Sequence, residues 1–243
     1  MSAEPEVRPR QRDGLNVAVV HDQLRQAILS GDVPPGPATS QLVLARELGV
    51  GRTPLREALR MLQSEGLVIS EPNRRVRIAD LSVADAEELY VMRILLEAVA
   101  AQITVPTLDD RDIAELEGLM AQMDHLVHAN ASFREAHHQF HARFVQAAGP
   151  RVVRQITQLF DHAERYRRAF GATEPDHWTA RRSEHRQILD AAAAGEARAT
   201  GAAIAAHYLR TAKLVAEALD PSYDLARLRV AIEFVAPGIV DEV

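Results

Sequence analysis

From Val17 to Leu29 apolar residues return with helical spacing, placing Val20, Leu24, Ala27 and Ile28 on one face. Gly31 ends the pattern, and Pro34, Pro35 and Pro37 forbid its continuation. A second, short helix is predicted over about Gln41–Leu48, with Leu44, Ala45 and Leu48 inward. Gly49 is its expected cap, because left-handed backbone is cheapest for glycine. A third helix is predicted to follow at once, with Thr53 as N-cap, Pro54 at the first helical position and Leu55, Leu59 and Leu62 buried. Gly66 closes it. Two β-prone stretches, Leu67–Ile69 and Val76–Ile78, then flank the polar segment Glu71–Arg75.

From Leu81 onward the periodicity is helical throughout. Ser82 with Asp85 three residues later predicts the start of a helix that runs to about Val105, before Pro106. Further helices are predicted at about 109–129, 132–148, 151–170, 177–194 and 196–219, with Ser132 and Glu135 as a second capping box. The Ala-rich stretch 191–206 indicates close helix packing, and a last short helix fits Leu225–Phe234. The expected fold is mainly α. An N-terminal winged helix-turn-helix with a small β-hairpin wing precedes an antiparallel bundle of six to seven helices. The expected divisions are an arm over 1–16, the winged unit over 17–80, the bundle over 81–220 and a tail over 221–243.

Composition narrows the classes. The chain is 243 residues, 47% hydrophobic and 26% charged, which suits packed domains and not a disordered chain. It has no cysteine, which excludes disulfides, thiolate metal sites and cysteine nucleophiles. No apolar run is expected to reach the roughly 20 residues that span a bilayer. The polar first sixteen residues lack an apolar core, so no signal peptide is expected and the chain is placed in the cytoplasm, without a membrane partner.

Charge is uneven. Residues 1–80 carry net +1 and residues 81–243 net −7, while 52–77 hold six Arg against three acids. An Arg-rich head on an acidic body suggests a negatively charged partner, though charge alone says little. The winged helix-turn-helix order makes the expected partner double-stranded DNA. Arg52, Arg56 and Arg60 repeat every four residues, opposite the Leu face of the third helix, where a reading helix meets base edges and phosphates. Arg74, Arg75 and Arg77 lie where a wing meets the DNA backbone. A solvated Arg face paired with Glu57 is the plainer alternative.

Nine of the ten histidines lie beyond residue 81. His137 and His141, four apart on one helix, can reach one metal, and His185 and His207 lie on two other helices. Bundles build metal sites in this way, and nitrogen ligands suit zinc, nickel, copper or iron. His138 competes with His137 as the partner of His141. His125, His128, His162 and His177 show no convergent pattern and are read as surface residues.

These residues also carry a resemblance. Leu24–Gly31 with Pro35-Gly36, Leu48-Gly49-Val50-Gly51-Arg52-Thr53-Pro54-Leu55-Arg56-Glu57-Ala58-Leu59 and Glu65-Gly66-Leu67-Val68 resemble the DNA-binding head of GntR-family transcription regulators. Tyr90, Arg93, Leu96-Glu97, Phe140-His141, Ala147-Ala148-Gly149, His185, Ile188-Leu189 and His207-Tyr208-Leu209 resemble the FCD-type effector domain of the FadR subfamily. The resemblance implies a homodimer on a palindromic operator, with Arg52 and Arg56 on DNA and Thr53 near its backbone. It also implies a divalent ion, zinc or nickel, held by His141, His185 and His207 beside a small organic acid effector that Arg93 would bind. His137 stands where the family has Asp. Gly51 replaces a usual Ser or Thr, Leu42 stands at a position that contacts DNA in some members, and Arg75 replaces a usual Gly.

The reading is a non-enzymatic, ligand-responsive repressor. Two alternatives are a regulator for which the metal is the signal and a metal-dependent hydrolase. The hydrolase lacks support, because no HExxH or comparable carboxylate motif accompanies the histidines.

Overall fold

The computed structural model describes residues 16–126, 130–170 and 175–238. They form two compact units that divide between Asp80 and Leu81. The expected arm lies outside the described residues except for Asn16, whose side chain caps the first helix by accepting from the Ala18 amide at 3.3 Å.

The first unit runs α1 (Val17–Ser30), β1 (Thr39–Ser40), α2 (Gln41–Glu47), α3 (Arg52–Ser64), β2 (Val68–Glu71) and β3 (Arg75–Ile78). Its sheet is antiparallel in the order β1-β3-β2. The edge strand β1 leaves no mark in the sequence pattern, since two residues carry no periodicity. Its Ser40 also caps α2, accepting from the Val43 amide at 3.2 Å. Val20, Leu24 and Ile28 of α1 pack on Leu55, Leu59 and Leu62 of α3, closed by Val68 and Val76. Each such burial contributes on the order of 1.5–3 kcal/mol. His21 of α1 reaches Glu65 at 2.5 Å, and Arg25 reaches the same carboxylate at 2.9 Å, tying α1 to the end of α3.

Two local expectations are corrected. Gly51, not Thr53, precedes α3. Its carbonyl accepts the Leu55 amide at 3.1 Å, and no side chain caps the helix. Pro54 is therefore the third helical residue, still within the turn whose amides have no intrahelical partner. Leu48, expected inward, follows the end of α2 and is 40% exposed, so Ala45 makes the buried contact of that helix.

The second unit contains α4 (Val83–Thr104), α5 (Asp110–Leu126), α6 (Asn130–Arg143), α7 (Pro150–Ala169), α8 (Pro175–Ala193), α9 (Ala197–Leu219) and α10 (Ala226–Val235). Ser82 caps α4, accepting from the Asp85 amide at 3.2 Å, as its spacing predicts. Ser132, by contrast, lies inside α6, which starts two residues earlier. α4 is central and packs against α7, α9 and α10. At Gly201 of α9 a Cβ would lie 2.8 Å from the Ala98 carbonyl of α4, so the closest approach of these helices needs glycine. α10 buries Leu228, Ala231 and Ile232 in the main core, which makes it part of the bundle and not of a separate tail.

Val83–Thr107 is, against expectation, long and apolar enough to cross a membrane by composition, with mean hydropathy 1.4. Yet 56% of its most apolar stretch is buried, and its inner face carries Arg93 and Glu97, so it is the core helix of a bundle.

The hairpin turn carries backbone strain. The Arg75 amide donates to the Pro72 carbonyl, and both residues between them, Asn73 (φ 61°) and Arg74 (φ 57°), are left-handed. Asn tolerates this, whereas a long side chain costs about 1–2 kcal/mol there. Arg74→Gly is therefore expected to raise the thermal midpoint of the first unit. An unchanged or lower midpoint in a calorimetric scan would show that the turn is unstrained.

Candidate functional site

α3 and the hairpin turn share one concavity of about 870 Å³. Arg52, Thr53, Arg56, Arg60 and Arg74 line it with Gln41, Leu42 and Asn73. Five of the six expected DNA-contacting residues are thus brought together. Arg75 is not among them, because its guanidinium donates to the Ala38 carbonyl beside β1. Arg77 is likewise engaged, by Glu71 at 2.9 Å and Asp80 at 2.6 Å. Arg56 and Arg60 both donate to Glu57, at 3.1 and 3.0 Å. These hydrogen bonds, Arg56 first, hold the Glu57 carboxyl below its usual range.

In the bundle, His137, His141, His185 and His207 converge. One ring nitrogen from each lies within 4.8 Å of the other three, and all four residues are buried. His138 does not join them; half-buried, it packs on Phe160 at 4.7 Å between ring centroids. His125 is exposed as expected, but His162 is half-buried. His128 and the side chain of His177 lie outside the described residues.

Hydrogen-bond chemistry fixes the tautomers. His185 Nδ1 meets the Arg181 carbonyl at 2.9 Å, which only accepts, so that nitrogen carries the proton. His207 Nδ1 donates to Glu184 at 2.6 Å. The Tyr208 hydroxyl donates to Glu97, so its oxygen accepts from His141 Nδ1 at 3.0 Å. His185 and His207 therefore keep their Nε2 lone pairs available for a ligand, and His141 turns its own Nε2 lone pair toward His137, each ring with a second group orienting it. His137 differs. Its Nδ1 faces Arg167 at 3.5 Å, and a guanidinium only donates, so His137 carries its proton on Nε2 and donates to His141 Nε2 at 3.2 Å.

Burial is the main reason that all four imidazoles stay neutral. It pushes His137, His141 and His207 well below their ordinary range, helped by Arg167 for His137 and by His185 for the other two. Burial takes His185 down to about 4, against the opposing bond to Arg181. Neutral imidazole is the form that ligates a metal.

Arg93 is also buried, but its Nε donates to Glu97 at 2.7 Å. Burial opposes its charge, yet Glu97, followed by Tyr208, outweighs that and raises its pKa. Sequence reasoning missed Glu97, Tyr208, Glu184, Arg167 and Arg181 as members of this site. A signal existed, since Arg93 and Glu97, like Arg181 and His185, are four apart on one helix face.

Stability should follow the histidines. Unfolded imidazole titrates near about 6.5, so between that pH and the folded value of about 4 for His185 the unfolded chain binds more protons. Metal-free protein is expected to lose stability as pH falls through this window, by about 3 kcal/mol from His185 alone. Denaturant midpoints between neutral and acid pH check this, and a flat profile would contradict neutral burial.

Residues 16–78 match the model of the gntR family of bacterial regulatory proteins, and residues 88–210 match that of the FCD domain. The HTH-type transcriptional regulator YdhC of Bacillus subtilis is 25% identical over 173 residues, 70% of this chain and 77% of its own length. The HTH-type transcriptional repressor GlaR of Escherichia coli is 26% identical over 151 residues, 59% of this chain and 69% of its own. Among solved structures, E. coli McbR/YncC superposes with a TM-score of 0.69 at 20% identity, covering 83% of this chain and 97% of that one. The last likeness concerns the fold. The two matched models follow one another along the chain, and it belongs to the GntR-family transcription regulators that carry an FCD domain.

Proposed function

We propose that this chain is a homodimeric, effector-controlled repressor of the FadR subfamily, whose bundle holds a divalent transition metal, zinc or nickel, beside a small carboxylate effector. The observation that carries this reading is the cluster of four buried, neutral imidazoles with nitrogens within 4.8 Å. The donor set fits such an ion. His141, His185 and His207 would hold it through Nε2, and His137 would be the fourth ligand only in the tautomer that its Arg167 contact disfavours. When bound, the ion supplies positive charge and an open coordination position for a carboxylate. Burial of the whole cluster favours a resident ion over one whose arrival is itself the signal.

The DNA face would be Arg52, Thr53, Arg56, Arg60 and Arg74, with Arg75 supporting the wing through Ala38. A dimer is supported by α4, where Met92, Leu95, Val99 and Ile103 form one outward stripe, each 36–49% exposed. Contiguous exposed apolar residues of this kind mark an interaction surface. Two heads related by a two-fold axis would read a palindromic operator. Coupling requires that the effector bind two dimer arrangements with different affinity.

Elemental analysis of untagged protein is expected to find one equivalent of transition metal, lost in His141→Ala. His137→Ala is expected to weaken zinc binding far less than His141→Ala, His185→Ala or His207→Ala. Equal losses at all four would show His137 to be a full ligand, and no metal in the parent would remove the centre altogether.

Arg52→Ala and Arg56→Ala should each weaken operator binding by about 1–3 kcal/mol, with an unchanged melting profile. Fluorescence anisotropy with operator DNA reads this, and unchanged affinity in both would mean that α3 is not the reader.

A further inference from the structure

Three guanidiniums and a phenol in the bundle core end on donors that nothing among the described residues accepts. Tyr90 Oη, Arg93 Nη2, Arg167 Nε and Arg181 Nη2 are buried without a hydrogen-bond partner, in residues at most 6% exposed. Buried donors without acceptors are disfavoured and few in folded proteins. Several of them side by side indicate an acceptor that the chain itself does not supply.

They adjoin the histidine cluster. The Arg93 guanidinium carbon lies 6.0 Å from the Tyr90 ring centroid and 3.9 Å from that of Tyr208, the partner of His141. Arg167 contacts His137, and Arg181 lies one helical turn before His185, whose Nδ1 its carbonyl accepts. Arg167 and Arg181 also act electrostatically on each other and on Tyr90.

Charge decides the class of acceptor. Glu97 answers Arg93 and Glu164 answers Arg167, at 2.7 and 2.5 Å, whereas no carboxylate among the described residues lies within ion-pair distance of Arg181. Four neutral imidazoles offset nothing, and a divalent ion would add two positive charges. One carboxylate, accepted at the metal, would leave Arg181 and its neighbours as they are. We infer that the ligand is a small dicarboxylate, one carboxylate seated at the histidine cluster and the second accepting from Arg181, Arg167 and Tyr90. This rests on the effector reading above and narrows it from any carboxylate to a diacid with two separated anionic ends. The planar guanidinium fork suits a carboxylate in both geometry and charge.

Calorimetric titration of the zinc-loaded full chain tests it, with acetate, inorganic phosphate and the series malonate, succinate and glutarate as probes. The best diacid is expected to bind at least about tenfold tighter than acetate or phosphate, a margin of one charge-assisted contact. Arg181→Met and Tyr90→Phe should each reduce that margin and leave acetate binding and zinc content unchanged. Arg181→Met should melt no lower than the parent, since it removes an unanswered buried charge. If Arg181→Met does not fold, Tyr90→Phe, which removes one oxygen, carries the test.

Acetate binding as tightly as every diacid, phosphate outbinding them, or variants that weaken acetate and diacid equally would each overturn the second subsite while leaving an effector site in place. Absence of binding by all five probes would instead sink the carboxylate-effector reading, and this inference with it.

Discussion

Charge inside a helical bundle is the constraint on which this structure depends. A guanidinium or imidazolium removed from water needs an answering group, and the bundle supplies few carboxylates, two of which serve two partners. Glu97 accepts from Arg93 Nε and from the Tyr208 hydroxyl, and through that hydroxyl it sets the ring of His141. Glu184 accepts from His207 Nδ1 and from Arg210. Glu164 answers Arg167, whose remaining reach is toward His137. These carboxylates thus pair with arginines, and Glu97 and Glu184 at the same time turn imidazole lone pairs toward a common centre. The imidazoles stay neutral because burial and the neighbouring guanidiniums oppose a further positive charge.

Such a network works only if the helices approach closely. Ala98 and Ala101 of α4 and Gly201 and Ala205 of α9 are small enough to allow it, and Glu97 and Tyr208 meet across that contact. α4 then has two unlike faces. Tyr90, Arg93 and Glu97 look into the core, while Met92, Leu95, Val99 and Ile103 lie outside. Because interiors are close-packed, a change at the inner contacts of α4 is felt by the same helix that presents the outer stripe.

Much of this was legible in the sequence, for a stateable reason. The Leu face of α3, the Ser82 cap and the pairing of His137 with His141 depend on spacing along one helix, and spacing is what a sequence records. That His185 and His207 meet them depends on how three helices pack. What it hid depends on contacts between segments. β1 exists because Thr39 and Ser40 pair with Val76 and Arg75. Arg75 looks like a free wing cation until the Ala38 carbonyl is placed beside it, and Thr53 looks like a cap until α3 is seen to begin behind Gly51. The half-buried state of His162 is likewise a property of packing. The odd tautomer of His137 was the least accessible feature, because it is set by Arg167 thirty residues away in sequence.

The same distinction explains why the arginines of the head are not equivalent. Arg75 and Arg77 are committed to a backbone carbonyl and to two carboxylates, so they shape the wing and its junction with β1. Arg56 and Arg60 are committed only to Glu57, on an exposed helix face. Exposed pairs of this kind are weak and screened by salt, so either arginine can leave Glu57 at little cost, whereas Arg75 and Arg77 cannot be freed without disturbing the wing.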